Sequence, residues 1–307
     1  MYSFYKHRRW FYALSITLLM IGVFTAIFAG IKLDIQFKGG SILNYNYVGT
    51  VDLDKAENVI ATAINRTVSC QETTSLVEGD ETKSMVINVA GDETLPIDDQ
   101  AKLEEALAAA FPDTTFSLQS SDQVDPFIGR EMLINGIWAM LVASVLIIAY
   151  VWFSFRSMSG PSAGVMALIA LYHDVTLVFF VFVVLRIPLN ESLIAVVLSI
   201  LGFSINDTIV IYDRIRENER IYKGSMTLAD LVDLSINQSL TRSINTSLCT
   251  FGAVAIAYVF AVANGIESIQ EFALPMMIGL ISGSYSTICL AGPLWVSWKT
   301  RGGRSGY

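Results

Sequence analysis

The sequence predicts a polytopic α-helical membrane protein of six spans, with one α+β domain inserted after the first span. Three observations predict it: six apolar stretches long enough to cross a bilayer, a single polar and acidic segment between the first two, and a one-sided distribution of basic residues among the connections. The composition agrees, since 53% of the 307 residues are hydrophobic and only 16% are charged, against about 25% charged in soluble domains.

A hydrocarbon core of about 30 Å needs roughly 20 apolar residues in a helix. The stretches that satisfy this run from Phe11 to Ile31, Leu133 to Phe153, Val165 to Leu185, Ser192 to Tyr212, Thr246 to Ala263 and Phe272 to Leu294. They are too long and too uniformly apolar for barrel strands, so helices are expected. The first follows Lys6-His7-Arg8-Arg9, exceeds the length of a signal h-region and has no small-residue cleavage site, so it is expected to stay as an anchor.

Six spans put both termini on one side. Lys6, Arg8, Arg9, Arg156, Arg214, Arg216, Arg220, Lys223, Arg242, Lys299, Arg301 and Arg304 fall on that side, and the two short connections opposite hold only Arg186. The positive-inside rule then places the termini in the cytoplasm and the inserted segment outside. Trp10, Trp152, Trp295 and Trp298 fall at expected interfaces, as an aromatic belt requires.

The inserted segment holds the charge imbalance: from Ile31 to Arg130 there are 17 acidic and 7 basic residues, leaving 11 acids and 13 bases elsewhere. Its pattern is amphipathic. Ser41–Val48 alternates like a strand. Residues Asp52 to Asn65 place Leu53, Ala56, Val59, Ile60 and Ala63 at helical spacing behind a capping Thr50 or Asp52. Val68–Val77 and Lys83–Val89 read as strands joined by the turn at Glu78-Gly79-Asp80-Glu81. A helix from Pro96 to Phe111 and a strand from Thr114 to Gln119 complete a β-α-β-β-α-β order, that of an extracytoplasmic ferredoxin-like domain. It contains no histidine, phosphate loop or nucleophile–base pair, so a docking surface is expected rather than an active site. Expected boundaries are 1–31 for the N-terminus and first span, 32–130 for the outer domain, 131–298 for the remaining spans and 299–307 for the tail.

Function is expected to sit on polar residues inside the spans, because a charge at the bilayer centre costs about 2.5–3.5 kcal/mol on insertion scales and needs a partner or a task. His173-Asp174 lies midway along the third span. Asp207 lies in the fourth, within Gly202-Phe203-Ser204-Ile205-Asn206-Asp207-Thr208, and Arg242 stands at the mouth of the fifth before a hydroxyl-rich stretch that includes Thr246. Ser204 shares a helix face with Asp207, and Ser199, Gly202 and Asn206 form an adjoining small, polar stripe suited to close helix approach. A carboxylate there, with Arg242 as partner, could exchange protons. Equally, Asp207 with Arg242 and His173 with Asp174 could simply pin helices together. Asp213, Arg214, Arg216 and Glu217 read as a solvated helix face beyond the fourth span.

No metal site and no disulfide framework is expected from Cys70, Cys249 and Cys289, the last two reading as small buried residues. Asp174 and Asp207 lack the glycine spacing of an intramembrane aspartyl protease, and Ser204 lacks the setting of a serine nucleophile, so no enzyme activity is expected. No cofactor is expected, nor a nucleic-acid partner.

Together these motifs resemble the SecD/SecF family of protein-export membrane subunits. Asp34-Ile35-Gln36-Phe37-Lys38-Gly39-Gly40 is similar to the family's junction after the first span, with Ile35 and Gln36 a mild departure. His173-Asp174 is similar to its H-D element. Ser204-Ile205-Asn206-Asp207-Thr208-Ile209-Val210 with Tyr212-Asp213-Arg214-Ile215-Arg216-Glu217-Asn218 resembles the signature of its SecF branch, and Thr241-Arg242-Ser243-Ile244-Asn245-Thr246-Ser247 the arginine segment that follows. An outer segment of about 95 residues suits SecF rather than SecD, whose outer region is larger. The resemblance implies a membrane fold of RND type in the bacterial inner membrane, a SecD partner, association with the SecYEG channel, and use of the proton-motive force, with protons as coupling ion, to assist an exported unfolded polypeptide. It also implies proton-pathway roles for Asp207, Arg242, Asp174 and His173. A self-sufficient proton-coupled small-molecule transporter is the first alternative, against which no internal repeat is found. A membrane scaffold or sensor is the second.

Overall fold

The structure, a computed structural model, describes residues 2–34, 40–74, 83–90, 95–112, 114–124, 126–154, 160–222 and 224–301. Six of its helices are long and apolar enough to cross a membrane. In chain order the helices are α1 Arg8–Ala29, α2 Leu53–Ile64, α3 Ile97–Ala110, α4 Pro126–Ser154, α5 Gly160–Val184, α6 Glu191–Ile221, α7 Leu228–Ala263, α8 Glu267–Ser286 and α9 Gly292–Arg301, with a π-helical turn at Thr287–Ala291 between the last two. The strands are β1 Gly40–Val48, β2 Val68–Thr74, β3 Lys83–Ala90 and β4 Thr115–Val124. Residues 35–39 of the junction motif, the last three residues of the expected strand Val68–Val77, the turn at 78–81, and Arg156, Lys223 and Arg304 lie outside the described residues.

The strands form one sheet in the order β2-β3-β1-β4, every neighbouring pair antiparallel. Thus β1-α2-β2 and β3-α3-β4 are two interleaved β-α-β units. Alternation sets the buried face: Leu43, Tyr45 and Tyr47 of β1 and Met85, Ile87 and Val89 of β3 meet Ala56 and Ile60 of α2 and Leu103 and Leu107 of α3. Asp52 caps α2 by accepting from the Lys55 amide at 3.2 Å, leaving Thr50 without that role. β4 runs five residues past its expected end because Ser120 and Ser121, though polar, pair with Asn44 and Leu43 across a register shift at Asn44/Tyr45.

Cys70 packs against this core, and burial, with Glu57 nearby, pushes its thiol up to about 12. At pH 8 its reactive thiolate is then about one molecule in ten thousand. We expect Cys70 to resist iodoacetamide at pH 8 in the folded protein and to alkylate once denatured; mass-spectrometric labelling at equal rates in both states would contradict this.

The remaining helices share a second core around α5, α6 and α8. Several boundaries differ from expectation. α6 continues to Ile221 and α7 begins at Leu228, well before its apolar run, because Leu231, Val232 and Ile236 of this polar stretch bury against the bundle. The last span opens at Glu267 and passes through the π turn into α9. Trp10, Trp152 and Trp298 are exposed as a belt requires, but Trp295 is wholly buried. Its indole Nε1 donates to Ser162 Oγ at 3.2 Å, its ring lies 6.4 Å from that of Tyr212, and Lys299 Nζ sits 5.1 Å over it. Cys249 is exposed and Cys289 half-buried, so the buried reading fails for the first: its side of α7 faces away from the core.

The segment that leaves α1 towards the sheet domain is tied to one end of the bundle. Leu33 bridges Leu189 in parallel, with Leu189 N donating to Lys32 O at 2.9 Å and Asp34 N to Leu189 O at 3.0 Å. Arg186, held at φ +59°, donates to the terminal carbonyls of α1 at Ala29 and Gly30.

Candidate functional site

Asp174 of α5 is 0% exposed, deep between α5, α6 and α8. Its Oδ2 accepts from Ser204 Oγ of α6 at 2.8 Å and from Ser286 Oγ of α8 at 2.5 Å. Its Oδ1 accepts from Ser282 Oγ of α8 at 2.7 Å and lies 3.2 Å from Nδ1 of the adjacent His173. His173 Nε2 is buried with no hydrogen-bond partner. Hydrogen bonding to this degree is what makes a buried carboxylate tolerable in an apolar bundle.

The helix spacing explains the convergence. Ser282 and Ser286 stand four residues apart on α8 and so share one face. Close approach comes from glycine: a Cβ on Gly283 would lie 3.3 Å from Ser204 Cβ, and one on Gly279 would lie 2.7 Å from Ile200 Cδ1. Below Ser204, the hydroxyl of Thr208 donates to the Ser204 carbonyl at 3.0 Å and lies 3.2 Å from Thr287 Oγ1, in the π turn.

Asp207, one turn further along α6, is 7% exposed and accepts from Ser247 Oγ of α7 at 3.2 Å. Arg242 is not bonded to it directly; it attracts Asp207 through its charge from five residues before Ser247 on α7. The expected Asp207–Arg242 pair is therefore a hydroxyl contact backed by a nearby cation. Arg242 borders a cleft of about 830 Å³ that Asp213, Arg216, Glu217 and Arg220 also line. Within it Arg216 pairs with Asp213 at 2.7 Å, and Arg214 pairs with Glu217 at 2.5 Å and donates to Gln238 at 2.7 Å.

Beside Asp207 lies a gap of about 20 Å³ bordered by Ser204, Asn206, Asp207, Thr246, Ser247 and Gly283. A water needs about 10–15 Å³ by this measure and two or more polar partners, so the gap suits one. Ser204 thus touches Asp174 on one side and the gap beside Asp207 on the other. Gly202, Asn206 and Thr246 are exposed on the outside of the bundle. Thr246 bonds back to the Arg242 carbonyl at 2.9 Å.

The sequence singled out Asp174, Ser204, Asp207 and their neighbours but missed Ser282, Ser286 and Thr287. Their four-residue spacing in an apolar span was the available signal. Among the described residues no group of three or more His, Cys, Asp or Glu is placed to hold a metal ion.

The family description "Protein export membrane protein SecD/SecF, C-terminal" matches residues 102–301. A protein translocase subunit SecF from Alicyclobacillus acidocaldarius is 34% identical over 95% of this chain and 91% of its own. A protein translocase subunit SecDF from Brucella abortus is 32% identical over 94% of this chain but only 36% of its own. The crystal structure of SecDF from Thermus, described as a translocon-associated membrane protein, superposes with a TM-score of 0.76 and 28% identity over 98% of this chain. This chain spans 39% of that one's length. A multi-pass membrane chain with this match along almost its whole length belongs to the SecD/SecF protein-export family, in its SecF branch.

Proposed function

We propose that this chain is one half of a proton-driven export motor, pairing with SecD in the bacterial inner membrane and assisting the late passage of an unfolded polypeptide through SecYEG. The observation that carries this reading is the pair of buried carboxylates joined through one hydroxyl: Ser204 donates to Asp174, and Ser204 and Asp207 border the same gap of about 20 Å³. Carboxylate, hydroxyl and water are groups that pass protons along hydrogen bonds. Protons are thus the coupling ion, each drawing about 2.3 kcal/mol per 100 mV of membrane potential. Asp207 is the exchanging carboxylate, Arg242 the cation that resets it, and His173 with Asp174 the inner store.

A SecD partner is supported by SecDF relatives that carry more than this chain's length. The exposed stripe of Gly202, Asn206, Arg242 and Thr246 supports it too, since polar groups at that depth are best covered by another polar helix rather than by lipid. The positive-inside count supports cytoplasmic termini and an outer-face position for the four-stranded domain, ferredoxin-like in its strand order. There it is available to the emerging polypeptide.

Asp207→Asn keeps shape and hydrogen bonding but removes the exchangeable charge. In inverted vesicles containing this chain, SecD and the channel, it is expected to lower proton flux and proton-driven export by about ten- to a hundredfold with the complex intact. Unchanged export from an assembled complex would make the carboxylate structural.

A further inference from the structure

Every acceptor position of the Asp174 carboxylate is occupied. Ser282 Oγ and His173 Nδ1 share Oδ1, and Ser204 Oγ and Ser286 Oγ share Oδ2, at 2.5 to 3.2 Å. An ionised carboxylate offers about four lone-pair sites, so, with His173 protonated at Nδ1, none remains. A proton that forms an O–H bond on Asp174 must enter one of those contacts, and the donor there has to turn round to accept it or move away. Two of the four stand on α8, one turn apart.

The other end of α8 meets the sheet domain. Glu271, eleven residues before Ser282 and so about 16 Å along the helix, accepts from Gln71 Nε2 of β2 at 3.4 Å and from Asn190 Nδ2, the residue capping α6, at 2.5 Å. Between Glu271 and Ser282, Pro275 has no N–H to give the Glu271 carbonyl, which makes this the point where α8 can bend. On the other side of Ser286 the π turn interrupts the helix again.

We infer that α8 is the transmission rod of the molecule: Ser282 and Ser286 are positioning residues that register whether Asp174 carries a proton, and Glu271 hands the resulting shift of α8 to strand β2. This rests on the proposed proton-driven function and deepens it by naming the element that joins the proton site to the outer domain.

The test uses the full complex in inverted vesicles, with the three native cysteines replaced by serine. Gln71→Cys and Glu271→Cys are bridged by a short bis-thiosulfonate reagent that a reductant cleaves. The unbridged double-cysteine complex, which has lost the Gln71–Glu271 contact, is expected to lose the proton-driven part of export, by about tenfold, the size of a typical coupling; bridging, which links α8 to β2 again, is expected to recover it, and reductant to remove it once more. In parallel Ser282→Ala with Ser286→Ala is expected to lose a similar factor, and Ser282→Thr, which keeps the hydroxyl, to retain wild-type export. Full export from the unbridged double-cysteine complex overturns the inference, whether or not the serine variants assemble. Asp207→Asn in the same vesicles separates the two ideas. If it loses flux while the unbridged double-cysteine complex exports normally, only the rod is wrong; if it conducts and exports like wild type, the proton reading itself falls.

Discussion

Asp174→Ala is expected to cost the folded chain about 3 kcal/mol, from the buried donors it leaves without an acceptor. Ser204, Ser282 and Ser286 all point at this carboxylate from two other helices. Part of the loss is recovered locally, since Ser286 Oγ already reaches the Gly283 carbonyl at 3.1 Å. Helical serines can generally turn back to a carbonyl one turn earlier. The His173 ring has no such alternative, with Nε2 already unpartnered. In detergent this should appear as a fall of roughly 6–12 °C in the unfolding midpoint, followed by the fluorescence of the buried Trp295. Asp174→Asn, which keeps the shape and one carbonyl acceptor, should fall by less than half as much. Equal melting of Asp174→Ala and wild type would mean that the three helices are held by their apolar contacts alone.

The second large effect is expected at Gly279→Val. The first carbon of any side chain there would sit 2.7 Å from Ile200 Cδ1, 2.8 Å from Ile200 Cγ1 and 2.9 Å from Val178 Cγ2. Those atoms belong to buried, β-branched residues on two different helices, so neither can swing aside without disturbing the other. Overpacking of this kind costs about 1–3 kcal/mol. It would also push α8 away from α6 at the level of Ser204, lengthening the serine contacts to Asp174, so export should fall along with stability. Gly252→Val is the matched control: a Cβ at Gly252 meets nothing within 4 Å. If the two variants melt and export alike, close packing at Gly279 does not set the α6–α8 distance.

Much of this was legible in the sequence because bilayer thickness is so strong a constraint. An apolar run of about 20 residues has one sensible conformation, and all six runs are helical. The sheet domain was legible for a different reason: Leu43, Tyr45 and Tyr47 alternate cleanly, and Asp52 stands at a helix start. What stayed hidden depended on partners distant in the chain. The stretch from Leu228 to Thr246 is too polar to read as a span, and only its packing against the end of α6 shows why it is helical. There Asn218 Nδ2 donates to Ser235 Oγ at 2.8 Å and to Gln238 Oε1 at 2.8 Å. In the site, ionisable residues announce themselves by their insertion cost, so Asp174 and Asp207 stood out. A serine in a span costs little and announces nothing, although 108 and 112 residues of chain separate Ser282 and Ser286 from the carboxylate they bind. Trp295 misled because a tryptophan near a span end suits both a lipid interface and a ring stack against Tyr212.

The π turn at Thr287–Ala291 sets the rotational phase of everything after it. In an uninterrupted α-helix the nine steps from Ser286 to Trp295 would turn through about 900°, leaving the two side chains on opposite sides. A π turn absorbs about one residue, which brings the difference to roughly 80°. Ser286 can then face Asp174 on α5 while Trp295 still reaches Ser162 on the same helix and Tyr212 on α6. One irregular turn lets a single continuous span keep both appointments along one groove.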